Sequence, residues 1–144
     1  FFQADVLVLT LPYKKSFLDP NIYKNQIKKI CYSIGMSSIK HIVFTSSSSV
    51  YPKNEIQYSP YDNFQPASLR ARVLIECENL INEIEDISVI TIRLGGIYGV
   101  GRNMKKSLIP RRLVSQEDAL NHLEIGISKI GTNECINGFT NIIM

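Results

Sequence analysis

The chain has 144 residues, 44% of them hydrophobic and 20% charged, with a formal net charge of +3, which is the composition of one folded domain and excludes a disordered or fibrous chain. So small a positive excess does not point to nucleic acid, and the longest apolar runs, such as Ala4 to Leu11, fall far short of the roughly 18 residues a membrane span needs. No basic start with a small-residue cleavage site is seen, so the expected compartment is the cytosol. Asp5 to Thr10 is a short, nearly continuous apolar run, which predicts a parallel strand covered on both faces. Asp19-Pro20-Asn21 predicts a helix start, Asp19 capping free N–H groups and Pro20 fitting the first turn. The helix is expected to run to about Ser33, with Ile22, Tyr23, Gln26, Ile27 and Ile30 inward and Gly35 as its stop.

His41 to Thr45 predicts a second strand that leads into four serines, Ser46 to Ser49. Pro52, Pro60 and Pro66 then punctuate a loop, and Leu69, Val73, Leu74, Cys77, Leu80, Ile81 and Ile84 recur at helical spacing between Ala67 and about Glu85. Ser88 to Arg93 predicts a third strand. Strands alternating with helices in this order predict an α/β fold, a doubly wound parallel sheet with helices on its faces. Beyond it, Gly95 to Asn103 reads as a glycine-rich loop followed by a basic stretch. A late helix is expected from near Ser115, where Ser115 and Asp118 form a variant capping box, to about Lys129. Cys135 to Ile143 predicts one or two short strands. The expected division is a Rossmann-like part over 1–94 and a substrate-binding loop with a small α+β extension over 95–144.

The three cysteines (Cys31, Cys77, Cys135) are scattered and lack any CxxC, so they are expected as buried or half-buried free thiols. His41 and His122 have no partner at metal-ligand spacing, and no metal site is expected. The serine row has two readings: an ordinary hydroxyl-rich turn, or part of an active-site rim. The second arises because ligands of open α/β sheets bind outside the carboxyl ends of the strands. Thr10-Leu11-Pro12 and Leu94-Gly95-Gly96 end the other two strands.

"FTSSSSVYP", the helix "PASLRARVLIECENL" and "ITIRLGGIYGVGRN", in that order, resemble the extended short-chain dehydrogenase/reductase family, the sugar-nucleotide epimerase/dehydratase group. In that family a hydroxyl-rich strand end precedes Val-Tyr, a helix carries Tyr-x-x-x-Lys and then a glutamate, and an arginine strand leads to a loop like "GIYGPGR". The resemblance implies a catalytic Ser47, four residues before Tyr51, and a helix glutamate at Glu76. It implies an NAD or NADP site built from Thr10, Leu11, Pro12, Thr45, Ser46, Arg72, Leu94, Gly95 and Gly96, and substrate contacts from Ser48, Tyr51, Tyr98 and Arg102. Counting back from Glu76, the tyrosine and lysine positions carry Ser68 and Arg72. An aliphatic hydroxyl cannot take the place of a phenol that titrates near ~10, and a guanidinium does not copy an ammonium. Atypical members, the YeeZ-like NAD(P)-binding proteins, also lack this pair, and Tyr51, Tyr58, Tyr61 and Tyr98, expected on loops at the rim, are candidate replacement acids; each is first read as a packed ring with a wetted hydroxyl.

No GxGxxG turn precedes Asp5, and "GGIYGVG" has other spacing. The expectation is that the chain is the C-terminal portion of a longer protein, lacking the fingerprint unit, and that its open strand edge invites association, including a homodimer. The cations Arg102, Lys105, Lys106, Arg111 and Arg112 read either as a solvated face or as a diphosphate clamp for a nucleotide-sugar substrate. Three functions stand open: an NAD(P)-dependent epimerase, dehydratase or reductase; a non-catalytic NAD(P)-binding sensor or scaffold; and a truncated chain that binds nothing stably alone.

Overall fold

The computed structural model describes residues 3–14, 19–54, 56–101 and 111–142, and the side chains of these except 111 and 140–142. In chain order they form strand β1 (Val6–Leu9), helix α1 (Asn21–Gly35), strand β2 (His41–Ser47), a 3₁₀ turn (Ser48–Val50), helix α2 (Leu69–Asn82) and strand β3 (Ser88–Leu94). Strands β4 (Gly96–Tyr98) and β5 (Arg111–Ser115), helix α3 (Gln116–Ser128), and strands β6 (Glu134–Gly138) and β7 (Thr140–Ile142) follow. The main sheet is parallel throughout, in the order β1-β2-β3-β6. It is the Rossmann-like α/β arrangement that the strand and helix alternation predicts.

Period-2 alternation decides what each face of the sheet meets. Ile42, Phe44 and Val89 join Tyr23 and Ile27 of α1 and Leu74, Cys77 and Ile81 of α2 in the larger core cluster. Val43, Ile90 and Ile92 face the other way, against Leu123 of α3. Alpha3 lies close because Gly126 has no side chain: a Cβ there would stand 2.9 Å from the Ile92 Cδ1 atom and 3.1 Å from Val43. The helices end as their local chemistry dictates. Asp19 accepts from the Asn21 backbone at 2.9 Å, Ser68 accepts from Ala71 at the start of α2, and Ser115 accepts from Asp118 at the start of α3.

Several expectations are corrected. Ile22 and Leu69 are exposed and so is Gln26, because the buried stripe of α1 is Tyr23, Ile27 and Ile34 and α2 begins only at Leu69. Gly35 is the last helical residue, with no left-handed backbone of its own. The segment expected as a glycine-rich loop contains β4, which pairs with β5 in a second, three-stranded sheet completed by β7. Within residues 95–144, β6 adds a strand to the main sheet and α3 covers its face. No helix among the described residues is long and apolar enough to cross a membrane, and no cluster of metal-ligating side chains occurs among them.

Candidate functional site

The three strand ends do converge. A cavity of about 820 Å³ opens at the carboxyl ends of β1, β2 and β3, lined by Thr10, Leu11 and Pro12 after β1, by Thr45, Ser46 and Ser47 of β2, and by Leu94, Gly95 and Gly96 after β3. Parallel register places them side by side, with Ser47 opposite Leu94. Tyr23 of α1 holds the β1 exit in place by donating its hydroxyl to the Leu11 carbonyl at 3.0 Å. Gly95 is required by close approach: a Cβ would stand 2.8 Å from the Arg112 carbonyl oxygen and 2.8 Å from the Phe139 Cβ.

The hydroxyls differ in availability. Ser46 donates to Glu78 Oε1 and is buried. Thr45 reaches the Leu9 carbonyl only at 3.4 Å. Ser47 caps the 3₁₀ turn, accepting from the Ser49 backbone at 3.2 Å and lying 2.9 Å from the Ser49 hydroxyl, so its orientation is set by the turn that follows it.

Helix α2 carries the main correction. Glu76 is half-exposed and pairs with Lys24 of α1 at 2.6 Å. Glu78 is the buried carboxylate, bound by Arg93 through Nη2 at 2.7 Å and through Nε. The glutamate that α2 turns inward is therefore Glu78. The same spacing counted back from Glu78 arrives at Arg70 and Leu74, and both line the cavity. Ser68 and Arg72 are not among its lining residues: Ser68 is spent on the helix cap, and Arg72 is exposed. A sequence signal existed, because Glu78 lies four residues after Leu74 and three before Ile81, within the buried stripe of α2. Glu76 lies outside that stripe.

The expected substrate contacts also divide. Ser48 is buried in the 3₁₀ turn. Tyr51 is buried and lies behind the cavity, accepting from Arg93 Nη1 at 2.8 Å and donating to Asn137 at 2.7 Å. Burial raises the Tyr51 pKa against the opposing pull of Arg93, and the hydroxyl is engaged with Arg93 and Asn137. Tyr58 stacks on Tyr51 with centroids 5.2 Å apart, Tyr61 is exposed, and Tyr98 on β4 does not line the cavity. Arg102 lies outside the described residues, as do Lys105 and Lys106. Arg112 leaves the expected clamp, because its guanidinium donates to the Pro52 and Ile56 carbonyls at 3.1 and 3.0 Å. Burial lowers its pKa against the tyrosines beside it.

Residues that the sequence reading did not assign complete the wall. Gln116, Ala119, Leu120 and Leu123 come from α3 at the spacing of one helix face, and Tyr13 from the segment after β1. Arg70 stands over the Tyr13 ring, 4.9 Å from its centroid, with its Nε buried and unpartnered. Glycine backbone, hydroxyls and a guanidinium with an unpartnered Nε fit a ligand that carries ribose and oxyanion groups. The three cysteines are free, as expected, and Cys77 is buried in the core on the inner side of α2.

No protein-family model matches the chain. It is 31% identical over 130 residues to protein YeeZ of Escherichia coli (strain K12), a match covering 89% of this chain and 47% of YeeZ. The chain thus spans about half the length of the curated relatives it matches. Among solved structures it resembles the UDP-N-acetylglucosamine 4-epimerase from Bacillus cereus with a TM-score of 0.79 at 13% identity, covering 96% of this chain and 60% of that one. MoeE5 in complex with UDP-glucuronic acid and NAD gives a TM-score of 0.79 at 16% identity, over 96% and 58% of the two chains. The UDP-N-acetylglucosamine 4-epimerase from Methanobrevibacter ruminantium M1, in complex with UDP-N-acetylmuramic acid, gives 0.74 at 16% identity, over 96% and 56%. At such identities the likeness establishes the fold.

Proposed function

We propose that this chain supplies the nicotinamide and substrate half of an NAD(P)-binding protein of the epimerase/dehydratase kind, acting on a small molecule related to nucleotide sugars. The observation that carries the reading is the cavity at the ends of three parallel strands, lined by hydroxyls and by Gly95 and Gly96. In this reading the Thr10–Pro12 segment, Thr45 and the Leu94–Gly96 segment hold the dinucleotide, and Ser47 orients the substrate. When bound, the nicotinamide supplies hydride transfer; the chain's own residues position, exclude water and polarise. Solved neighbours carry NAD and UDP-sugar compounds in their complexes, which supports this class of ligand without choosing between NAD and NADP.

Arg70 and Leu74 favour a second reading, binding without turnover. With the tyrosine and lysine positions taken by a guanidinium and an isobutyl group, the site lacks the phenol that moves a proton in the resembling family. Saturation-transfer NMR separates binding from no binding. With NAD⁺ in excess, transfer to the nicotinamide protons should exceed transfer to the adenine protons, because the pyrophosphate site at a helix N-terminus belongs to the portion proposed to precede this chain. Absence of transfer to either ring would overturn the proposal. Binding with no exchange of label between NADH and any added sugar nucleotide would select the non-catalytic reading.

A further inference from the structure

We propose that the part of the ligand lying against Arg70 is a single small oxyanion, a carboxylate or a phosphate monoester, and that Arg70 is the residue that binds it. The anion site stands on this chain's own geometry; only the statement that its occupant is the substrate rests on the function proposed above.

Among the described residues Arg70 is the one charged side chain that lines the cavity, with no aspartate, glutamate or lysine beside it. The guanidinium is held over Tyr13, and its Nε is buried without a partner. Burying part of a cation without a counter-ion is costly, and the cost is recovered when an anion arrives. The carboxylates of the same helix are already engaged: Glu76 holds Lys24, and Glu78 holds Arg93 and Ser46. Of the other arginines near the site, Arg93 is paired with Glu78, and Arg112, whose Nε is also buried without a partner, commits its two terminal nitrogens to backbone carbonyls and does not line the cavity. Arg70 is thus a charge with a held position and an unmet need.

Leu74, one turn along from Arg70 on the cavity wall, is apolar, so Arg70 is the one cation on the described wall. A carboxylate or a phosphate monoester is matched by one guanidinium through paired N–H donors. The apolar surfaces of Leu74, Leu94 and Leu120 lower the local dielectric and strengthen the pair. A neutral ligand would leave Arg70 unpaired.

The test uses the full chain, the ¹⁵N–¹H signals of arginine Nε groups, and three probes: acetate, inorganic phosphate and neutral acetamide. The Arg70 signal, assigned by its loss in Arg70→Lys, should shift saturably with acetate, with phosphate, or with both, and not with acetamide; which anion saturates identifies the source of the oxyanion. Arg70→Gln should weaken anion binding at least tenfold by calorimetry, Arg70→Lys should weaken it less, and Arg72→Gln on the exposed face should leave it within twofold. A linear, non-saturating drift shared by the Arg70 and Arg72 signals would overturn the proposal, as would equal affinity in Arg70→Gln. NAD⁺ saturation transfer on the same samples keeps the two claims apart: its loss with a saturable Arg70 shift would sink the dinucleotide reading and leave the anion site standing.

Discussion

A carboxylate in the interior costs several kcal/mol unless charge and hydrogen bonds compensate it, and Glu78 is compensated by Arg93 and by Ser46, while Arg93 also donates to Tyr51. Burial opposes the charge on Arg93, but the hydrogen bonds and charge of Glu78 outweigh it and raise the arginine's pKa. Glu78→Gln leaves a buried guanidinium half-paired, so unfolding by urea should show a loss of about 3 to 5 kcal/mol. Replacing both partners, Glu78→Leu with Arg93→Met, should cost less than that single change. The thiols set a second, pH-dependent outcome. Burial raises Cys77 from 9.0 to about 12 and Cys135 from 9.0 to about 11, against the pull of Arg93. Each thiol is neutral in both states below pH 9, so its contribution is whole there. Above pH 9 the unfolded chain ionises first, and stability should fall by about 1.4 kcal/mol per pH unit per thiol until the folded pKa is reached. Cys77→Ala should flatten the slope of stability against pH between 9 and 11, measured by denaturant titration. At this scale the sequence was legible in its hydroxyls and glycines, which sit where strand ends put them. It misled at Glu76, because two glutamates two residues apart are separated only by which one shares a face with Leu74 and Ile81.

At the scale of elements, hydrophobic period and caps carried the most information. The parallel strands announced themselves as apolar runs, and the α3 start was readable because Ser115 and Asp118 bond reciprocally, the serine accepting from the Asp118 backbone and donating to its carboxylate. Ser115→Ala should lower stability by roughly 1 kcal/mol, seen as a lower thermal midpoint. The small second sheet was not legible. Gly96-Ile97-Tyr98 is too short to show alternation, and its partner strand lies among the cations that read as a loop. Gly126 shows a different limit, since a glycine inside a helical pattern reads as a weakness until the sheet beneath it is known. Gly126→Val gains only a few tenths of a kcal/mol in helix propensity. Forcing Ile92 and Val43 aside costs about 1 to 3 kcal/mol, so the net effect should be destabilising by thermal melting. Closer approach also means that α3 would tilt, carrying Gln116 and Leu120 away from the cavity and weakening ligand binding in the same variant.

For the whole molecule the feature with the widest consequence is the β1 side of the main sheet. Beta1 pairs with β2 alone among the described residues. Its Leu7 and Leu9 pack into the core, while Val6 and Val8 point to the opposite face and remain 37% and 40% exposed. A parallel strand buried on one face only, with apolar side chains on the other, is a template for another strand or another copy. Such an edge fits the proposal that further strands pair along it. In that arrangement one segment would complete the sheet, cover Val6 and Val8, and bring the dinucleotide fingerprint to the cavity. The chain alone should therefore self-associate, with a weight-average sedimentation coefficient that rises with concentration. Val6→Lys with Val8→Lys should abolish that rise while far-ultraviolet circular dichroism stays unchanged, because Leu7 and Leu9 still anchor β1 against α1. A chain that stays monomeric at every concentration would show that the β1 edge is protected in some other way. If the lysine variant also unfolds, the exposed valines are part of a core rather than a seam. A longer chain that carried such strands should sediment without that concentration dependence, since the same edge would then be occupied from within.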